Sequence, residues 1–244
     1  MPVLEVSGLM KSYDGFVAVH DLSFTLDKGE VLGLVGPNGA GKTSTLRCLA
    51  GVLPPTRGSV RVCGADVVSD PVGAKKNLAF LPDEPKLFEY LTVLEHLNLV
   101  ARLYGVSDWR ARAEALLDEL ELGPKRDALP GELSRGMKQK LVVATAFLHD
   151  PALIVLDEPL TGLDPLGIRR MKASLKARAE RGAAVVLSSH LLPLVEEMCD
   201  RVLVIAGGRA VALGSLEEIR AAKATGEGAS LEELFVRITS EGGA

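Results

Sequence analysis

Eight consecutive residues, Gly36-Pro37-Asn38-Gly39-Ala40-Gly41-Lys42-Thr43, have the types and spacing to hold a phosphate. They fit the pattern G-x-x-x-x-G-K-[ST]. The glycines let backbone N–H groups close around an anion. A helix expected from Thr43 adds its positive end. Lys42 supplies a point charge for β- and γ-phosphates, and Thr43 a hydroxyl for Mg²⁺. A second run, Leu153-Ile154-Val155-Leu156-Asp157-Glu158, is apolar and ends in two acids. Asp157 can hold Mg²⁺ through water. Glu158 can accept a proton from an attacking water. Alone, the first run is a Gly-rich turn before a helix and the second two acids opening a surface turn. Together they point to phosphate chemistry.

These residues need particular elements to position them. Val31-Leu32-Gly33-Leu34-Val35 reads as a buried strand feeding the glycine loop, and 43–50 as the helix leaving it. Acids at the carboxyl end of a strand face a ligand in open α/β sheets. Residues 3–9 and 16–26 alternate apolar and polar and read as antiparallel strands around a turn at Asp14-Gly15. Short strands are expected at 60–62 and 78–81, and a short helix over 71–77. Residues 91–104 and 111–122 are helical by spacing and composition, with Gly123-Pro124 and Pro130-Gly131 interrupting. The stretch from about 83 to 150 therefore reads as a helical subdomain inserted into an α/β core. Beyond it come a buried strand at 152–156 and a helix capped by Asp164, with Pro165 first and Gly182 closing it. A strand at 183–187, a helix at 191–198 and a hairpin across Gly207-Gly208 follow, then terminal helices at 216–222 and 231–238. The alternation predicts a mostly parallel sheet covered on both faces.

The chain has 244 residues, 47% hydrophobic and 25% charged, with a net charge of −4. That balance weighs against non-specific nucleic-acid binding, which usually needs a basic face. Cys48, Cys63 and Cys199 lie far apart and are expected as small buried apolar residues in a reducing compartment. No apolar run approaches the roughly 20 residues needed to cross a bilayer, and the N-terminus lacks the pattern of a signal peptide. The expected location is cytoplasmic.

A third run, Leu133-Ser134-Arg135-Gly136-Met137-Lys138-Gln139-Lys140, reads physically as a Ser-capped helix start with basic residues on its exposed side. The order of all these motifs resembles the ATP-binding subunits of ATP-binding-cassette transporters, over about residues 3 to 214. In that resemblance 36–43 is the Walker A loop and 153–158 the Walker B strand with its catalytic glutamate. Residues 133–137 stand where the signature L-S-G-G-Q belongs. Thr161-Gly162-Leu163-Asp164 resembles the D-loop, and Ser188-Ser189-His190 the segment bearing the switch histidine. Tyr13 takes the aromatic position that stacks on adenine.

The resemblance implies a P-loop NTPase core with an N-terminal antiparallel β subdomain. It places an ATPase domain at 1–220 and a short helical tail at 221–244. The implied catalytic residues are Glu158, His190 and Lys42. The implied nucleotide contacts are Tyr13, Gly36, Pro37, Asn38, Gly39, Ala40, Gly41, Lys42, Thr43, Ser44, Ser134, Gly136 and Asp164. Thr43, Asp157 and Asp83 are the implied Mg²⁺ ligands. Two departures stand out. Arg135 and Met137 replace Gly and Gln in the signature, where the added charge either helps at a phosphate or points to solvent. Asp83 replaces the Gln that usually follows Leu81-Pro82, a carboxylate on a shorter arm.

With the run Leu87-Phe88-Glu89-Tyr90-Leu91-Thr92-Val93, both departures resemble the branch serving ABC-2-type permeases, commonly exporters. Phe88, Tyr90 and Leu91 either form a permease surface or pack within the helical subdomain. The implied protein hydrolyses ATP with Mg²⁺ and works with an integral permease and a second ATP-binding subunit, expected to be a homodimer. It would lie peripherally on the cytoplasmic face of the membrane, with no nucleic-acid partner. Three rivals are a soluble ATPase acting on nucleic acid, a GTPase and a nucleotide-gated assembly factor. The first usually has two cassettes or coiled-coil insertions, and neither is present. The second lacks an N-K-x-D guanine reader. Glu158 argues against the third. His20, His96 and His149 show no pairing and are read as structural.

Overall fold

The computed structural model describes residues 1–84, 86–222 and 232–233. Strands β1 (Leu4–Tyr13), β2 (Phe16–Leu26) and β3 (Val31–Val35) lead into helix α1 (Lys42–Leu49). Then come β4 (Arg57–Val62), β5 (Ala65–Asp66), α2 (Pro71–Lys76) and β6 (Leu78–Leu81). Helices α3 (Val93–Tyr104), α4 (Trp109–Glu119) and α5 (Arg135–Phe147) form the insertion. The core returns with β7 (Leu153–Asp157), α6 (Pro165–Glu180), β8 (Ala184–Ser188), α7 (Leu192–Met198), β9 (Arg201–Ala206), β10 (Arg209–Gly214) and α8 (Leu216–Ala222).

Two sheets result. One is antiparallel, in the order β2-β1-β4-β5. The other runs β10-β9-β3-β8-β7-β6, parallel except for the edge strand β10. Three hairpins close on two-residue turns, Asp14-Gly15, Cys63-Gly64 and Gly207-Gly208. Both residues have positive φ in each turn, as the type I′ geometry that matches strand twist requires. The second turn corrects one expectation. Cys63 is exposed because it occupies a hairpin tip, whereas Cys48 is buried. Burial pushes the Cys199 thiol up to about 12, as expected of an inert apolar cysteine.

The parallel strands are apolar along most of their length because both faces are covered. Val31 and Val35 of β3, Ile154 and Leu156 of β7, and Val185 and Leu187 of β8 face one core with α3 to α7. Leu32 and Leu34, Leu153 and Val155, and Ala184 and Val186 face the other, shared with α1 and the antiparallel sheet. Strand period two thus divides continuous hydrophobic runs between two cores.

Helix α3 starts at Val93 rather than 91 because Thr92 caps it. Thr92 Oγ1 accepts from Glu95 N at 3.2 Å, and Glu95 Oε2 accepts from Thr92 N at 2.8 Å. Helix α4 begins two residues earlier than expected and ends at Glu119, after which Glu121 turns the chain at positive φ. Leu87 packs on the core while Phe88 and Tyr90 stand 63% and 89% exposed. Phe88 and Tyr90 therefore form a surface, whereas Leu91 is half-buried and Val93 is core. His96 is structural, with Nε2 accepting from Phe88 N and Nδ1 paired with the Thr92 carbonyl. Of the expected terminal helix at 231–238, only 232 and 233 fall within the described residues.

The insertion is fastened to α6 by charge. Arg178 is buried and binds both carboxylate oxygens of Glu119 on α4, at 2.9 and 3.2 Å, with its guanidinium 3.9 Å over the Phe147 ring. Ser174 also donates to Glu119. Burial alone would raise the Glu119 carboxyl, but the bonds from Arg178 and Ser174 outweigh it and hold the group below its ordinary range. A depressed carboxylate stabilises above its unfolded value of about 4.3 and loses that contribution as pH falls through the folded value. Glu119→Gln is expected to lower stability at pH 7 by about 1 kcal/mol, a modest figure for a partly exposed charged hydrogen bond. Thermal melts should show the gap closing below pH 4. A gap that stays constant down to pH 3 would contradict this account.

Candidate nucleotide site

The glycine loop and the polar side chains that converge on one place come from the carboxyl ends of parallel strands, while Tyr13 and Phe16 reach it from the antiparallel hairpin. β3 ends in the glycine loop, β7 in Asp157 and Glu158, β6 in the segment carrying Asp83, and β8 in Ser188 and His190. Parallel register puts Asp157 opposite Ser188. The result is a cleft of about 440 Å³, lined by Tyr13, Phe16, Ala18, residues 38–44, Asp83, Asp157 and Glu158.

The loop's shape follows from what its glycines touch. Gly41 has φ 102, and a Cβ there would stand 2.3 Å from the Ala18 carbonyl oxygen. A Cβ on Gly36 would stand 2.3 Å from the Ile205 carbonyl oxygen of β9. Helix α1 has no side-chain cap and no acid in its first turn. Its leading N–H groups are thus left for an anion. By contrast, Asp70, Thr92, Ser134 and Asp164 cap α2, α3, α5 and α6. Lys42 Nζ donates to the carbonyls of Gly36 at 2.7 Å and Pro37 at 3.2 Å. Burial lowers its pKa, while Glu158 and Asp157 pull the other way. The cation therefore sits between loop carbonyls and two acids.

Those acids are held by Ser188, which the sequence marks only as part of the segment leading to His190. Ser188 is fully buried. Its hydroxyl donates to Asp157 Oδ1 at 2.7 Å and accepts from Glu158 N at 3.0 Å. Glu158 has φ 49, a left-handed conformation uncommon outside glycine. Its Oε2 accepts from His190 Nδ1 at 2.8 Å and from the His190 backbone N–H at 3.4 Å. Phe16 is a site residue that sequence reasoning passed over. It is Tyr13's partner across the Asp14-Gly15 turn, so the two aromatics stand together at the cleft's rim. The turn itself carried that signal. Tyr13 Oη donates to Ser44 Oγ at 3.3 Å, and Lys11 Nζ lies 5.1 Å from the Tyr13 ring centre.

Not every expected residue joins this cleft. Gly36 and Pro37 take part through their carbonyls to Lys42. His190 reaches it through Glu158. Ser134 instead caps α5, its Oγ accepting from Met137 N at 3.2 Å. Gly136 packs against the Gly162 carbonyl. Asp164 caps α6, its Oδ1 accepting from Gly167 N at 2.6 Å. None of these three lines the cleft.

Comparisons with known proteins show the family to which the chain belongs. Residues 19–161 match the family model described as ABC transporter. The chain is 36% identical to the ABC-type transporter ATP-binding protein EcsA of Bacillus subtilis (strain 168), over 99% of this chain and 98% of that protein. It is 38% identical to the SkfA peptide export ATP-binding protein SkfE of the same organism, over 86% of this chain and 87% of the relative. A solved structure of an ATP-binding subunit of an ABC transporter superposes with TM-score 0.93 at 37% identity, covering 97% of this chain and 99% of that one. The chain belongs to the ABC transporter family, as an ATP-binding subunit.

Proposed function

We propose that this subunit hydrolyses ATP in the cleft between the 36–44 loop and β7, and that a second copy completes the site. The observation that carries this reading is the separation within one chain. The uncapped head of α1, Lys42, Asp157 and Glu158 share one cleft, while Ser134 and Gly136 lie elsewhere, at the head of α5. Two copies facing each other would bring each α5 head over the other's nucleotide. ATP then acts as the bridge, and its loss releases the pair.

In this reading Tyr13 and Phe16 seat the base. The N–H groups of 39–44 and Lys42 hold the phosphates. The metal donors fit Mg²⁺, since the Thr43 hydroxyl and the Asp157 and Asp83 carboxylates offer only oxygen. The ion would neutralise phosphate charge. Glu158 takes the proton of the attacking water, and His190 orients that carboxylate through the 2.8 Å contact. Ser188 holds both acids in register, so Ser188→Ala orphans a buried carboxylate oxygen and a backbone N–H. Asp164 positions α6 beneath the partner interface.

The relatives support the direction of transport in a wider reading. SkfE is a peptide export protein by name. We assign this chain the same direction, with an ABC-2-type permease as partner and a homodimer as the active pair. No described helix is long and apolar enough to cross a membrane, which fits a peripheral subunit held on the cytoplasmic face by its permease. We take 1–220 as the ATPase domain, with 83–150 its helical insertion and 221–244 a tail.

Glu158→Gln is expected to cut turnover roughly 10²- to 10⁴-fold, the scale of a lost general base, while keeping ATP affinity. With ATP and Mg²⁺ it should elute as a dimer in size-exclusion chromatography with light scattering. Unchanged turnover removes Glu158 from its role, and a strict monomer at every concentration sinks the two-copy site. Ser188→Ala is expected to lower stability by about 1–3 kcal/mol, the scale for leaving buried polar groups unpaired. It should also lower kcat. Denaturant titration and phosphate release measure the two effects, and a neutral result in both contradicts the bridging role.

A further inference from the structure

Arg135 stands where the family signature has glycine, and the fold gives it a definite seat. An ideal Cβ built on Gly162 would lie 2.9 Å from Arg135 Nε, 3.1 Å from Cδ and 3.4 Å from Cγ. The arginine stem therefore lies across the bare face of that glycine. Gly162 has φ +81, so it needs glycine's backbone freedom as well as its missing side chain.

Two more contacts grip the same segment. A Cβ on Gly136 would stand 3.3 Å from the Gly162 carbonyl oxygen. Gln139 is 1% exposed, and its Nε2 donates to the Pro159 carbonyl at 3.3 Å. Arg135, Gly136 and Gln139 all sit in the first turn and a half of α5, directly after the Ser134 cap. The gripped segment begins at Pro159, the residue after Glu158, and runs to the Asp164 cap of α6. Close-packed contacts of this kind pass a displacement on rather than absorb it.

We propose that Arg135 is a positioning residue that couples the α5 head, offered to the partner's nucleotide, to the segment that follows this chain's own Glu158. The inference rests on the two-copy reading given above. Engagement of Ser134 and Gly136 at one nucleotide then registers at the other. The contact is made by the stem and Nε, so reach and shape matter more than charge.

Substitutions separate these possibilities. Arg135→Met and Arg135→Lys keep the stem and are expected to hold kcat within about 2-fold of the parent. Arg135→Gly is expected to lower kcat about 10-fold, a scale seen when catalytic groups are slightly misplaced. Its KM for ATP should stay within about 2-fold because the 36–44 loop is untouched. Its Hill coefficient for hydrolysis should fall toward 1.

A double-mutant cycle in kcat with Gly162→Ala supplies an independent readout. The added methyl meets Arg135 in the parent but finds room in the Arg135→Gly background. The loss caused by Gly162→Ala should shrink there by at least about 3-fold, while the backbone strain cancels in the comparison. This cycle decides the matter even if Arg135→Gly melts earlier.

Three results overturn the proposal. One is full activity with unchanged cooperativity in Arg135→Gly, another is an additive cycle. The third is an Arg135→Met enzyme as slow as Arg135→Gly while Arg135→Lys is normal, which would assign the effect to charge at a phosphate. Failure of the underlying reading looks different, because Glu158→Gln would then form no ATP-dependent dimer whatever stands at 135.

Discussion

Helix α1 begins with neither a capping side chain nor an acid in its first turn, and its surroundings keep that end bare. Four leading N–H groups of a helix need partners, and most of the described helices find one in an Asp, Ser or Thr. Here the chain arrives through glycines, two of them pressed against the carbonyls of Ala18 and Ile205. No side chain could stand at either place without displacing backbone from the antiparallel hairpin or from β9. The two sheets meet at this point as well, through His20 N to the Gly208 carbonyl and Gly208 N to the Ala40 carbonyl. The shape of the candidate anion site is therefore a consequence of how the sheets are joined, and distorting the junction would distort that shape.

Electrostatic balance follows from that bare end. A helix head and Lys42 make a strongly positive pocket, and burial opposes the lysine's charge. Asp157 and Glu158 offset this from the next-but-one strand, near enough to support the ammonium yet outside the glycine loop. Placing them takes a parallel register in which Asp157 faces Ser188. One hydroxyl then satisfies a buried carboxylate oxygen and the N–H of a residue held at unfavourable φ. The strain at Glu158 aims its side chain at His190 instead of along the strand.

The helical insertion answers to a different constraint. It is tied to α6 by the Arg178–Glu119 pair, and Glu121 reaches both Arg170 of α6 at 2.7 Å and Lys140 of α5 at 3.6 Å. Helices α5 and α6 thus share anchors along their length and the Arg135–Gly162 contact at their heads. The Ser134 turn and the Asp164 turn are fixed relative to each other by both. This keeps the α5 head away from the cleft of its own chain while presenting it as one firm surface.

Much of this was legible in the residues themselves. The glycine loop, the acid-terminated strand, the Ser134 and Asp164 caps and the Asp14-Gly15 and Gly207-Gly208 hairpins are local signals, written within a few residues of the feature they specify. The apolar runs at 31–35, 152–156 and 183–187 announced buried strands. Less visible was anything that depends on pairing distant segments. Ser188 stands out only as a neighbour of His190 until parallel register sets it beside Asp157. Phe16 looks like an exposed aromatic until the hairpin folds it next to Tyr13. Cys63 read as core until a turn lifted it to the surface. By itself the sequence determined which phosphate chemistry this protein carries, because short-range backbone and side-chain patterns encode it. Only the tertiary structure decided which side chains hold the acids, what Arg135 rests on, and that the signature turn stands apart from the cleft. Those contacts join residues tens of positions apart, and no local pattern records them.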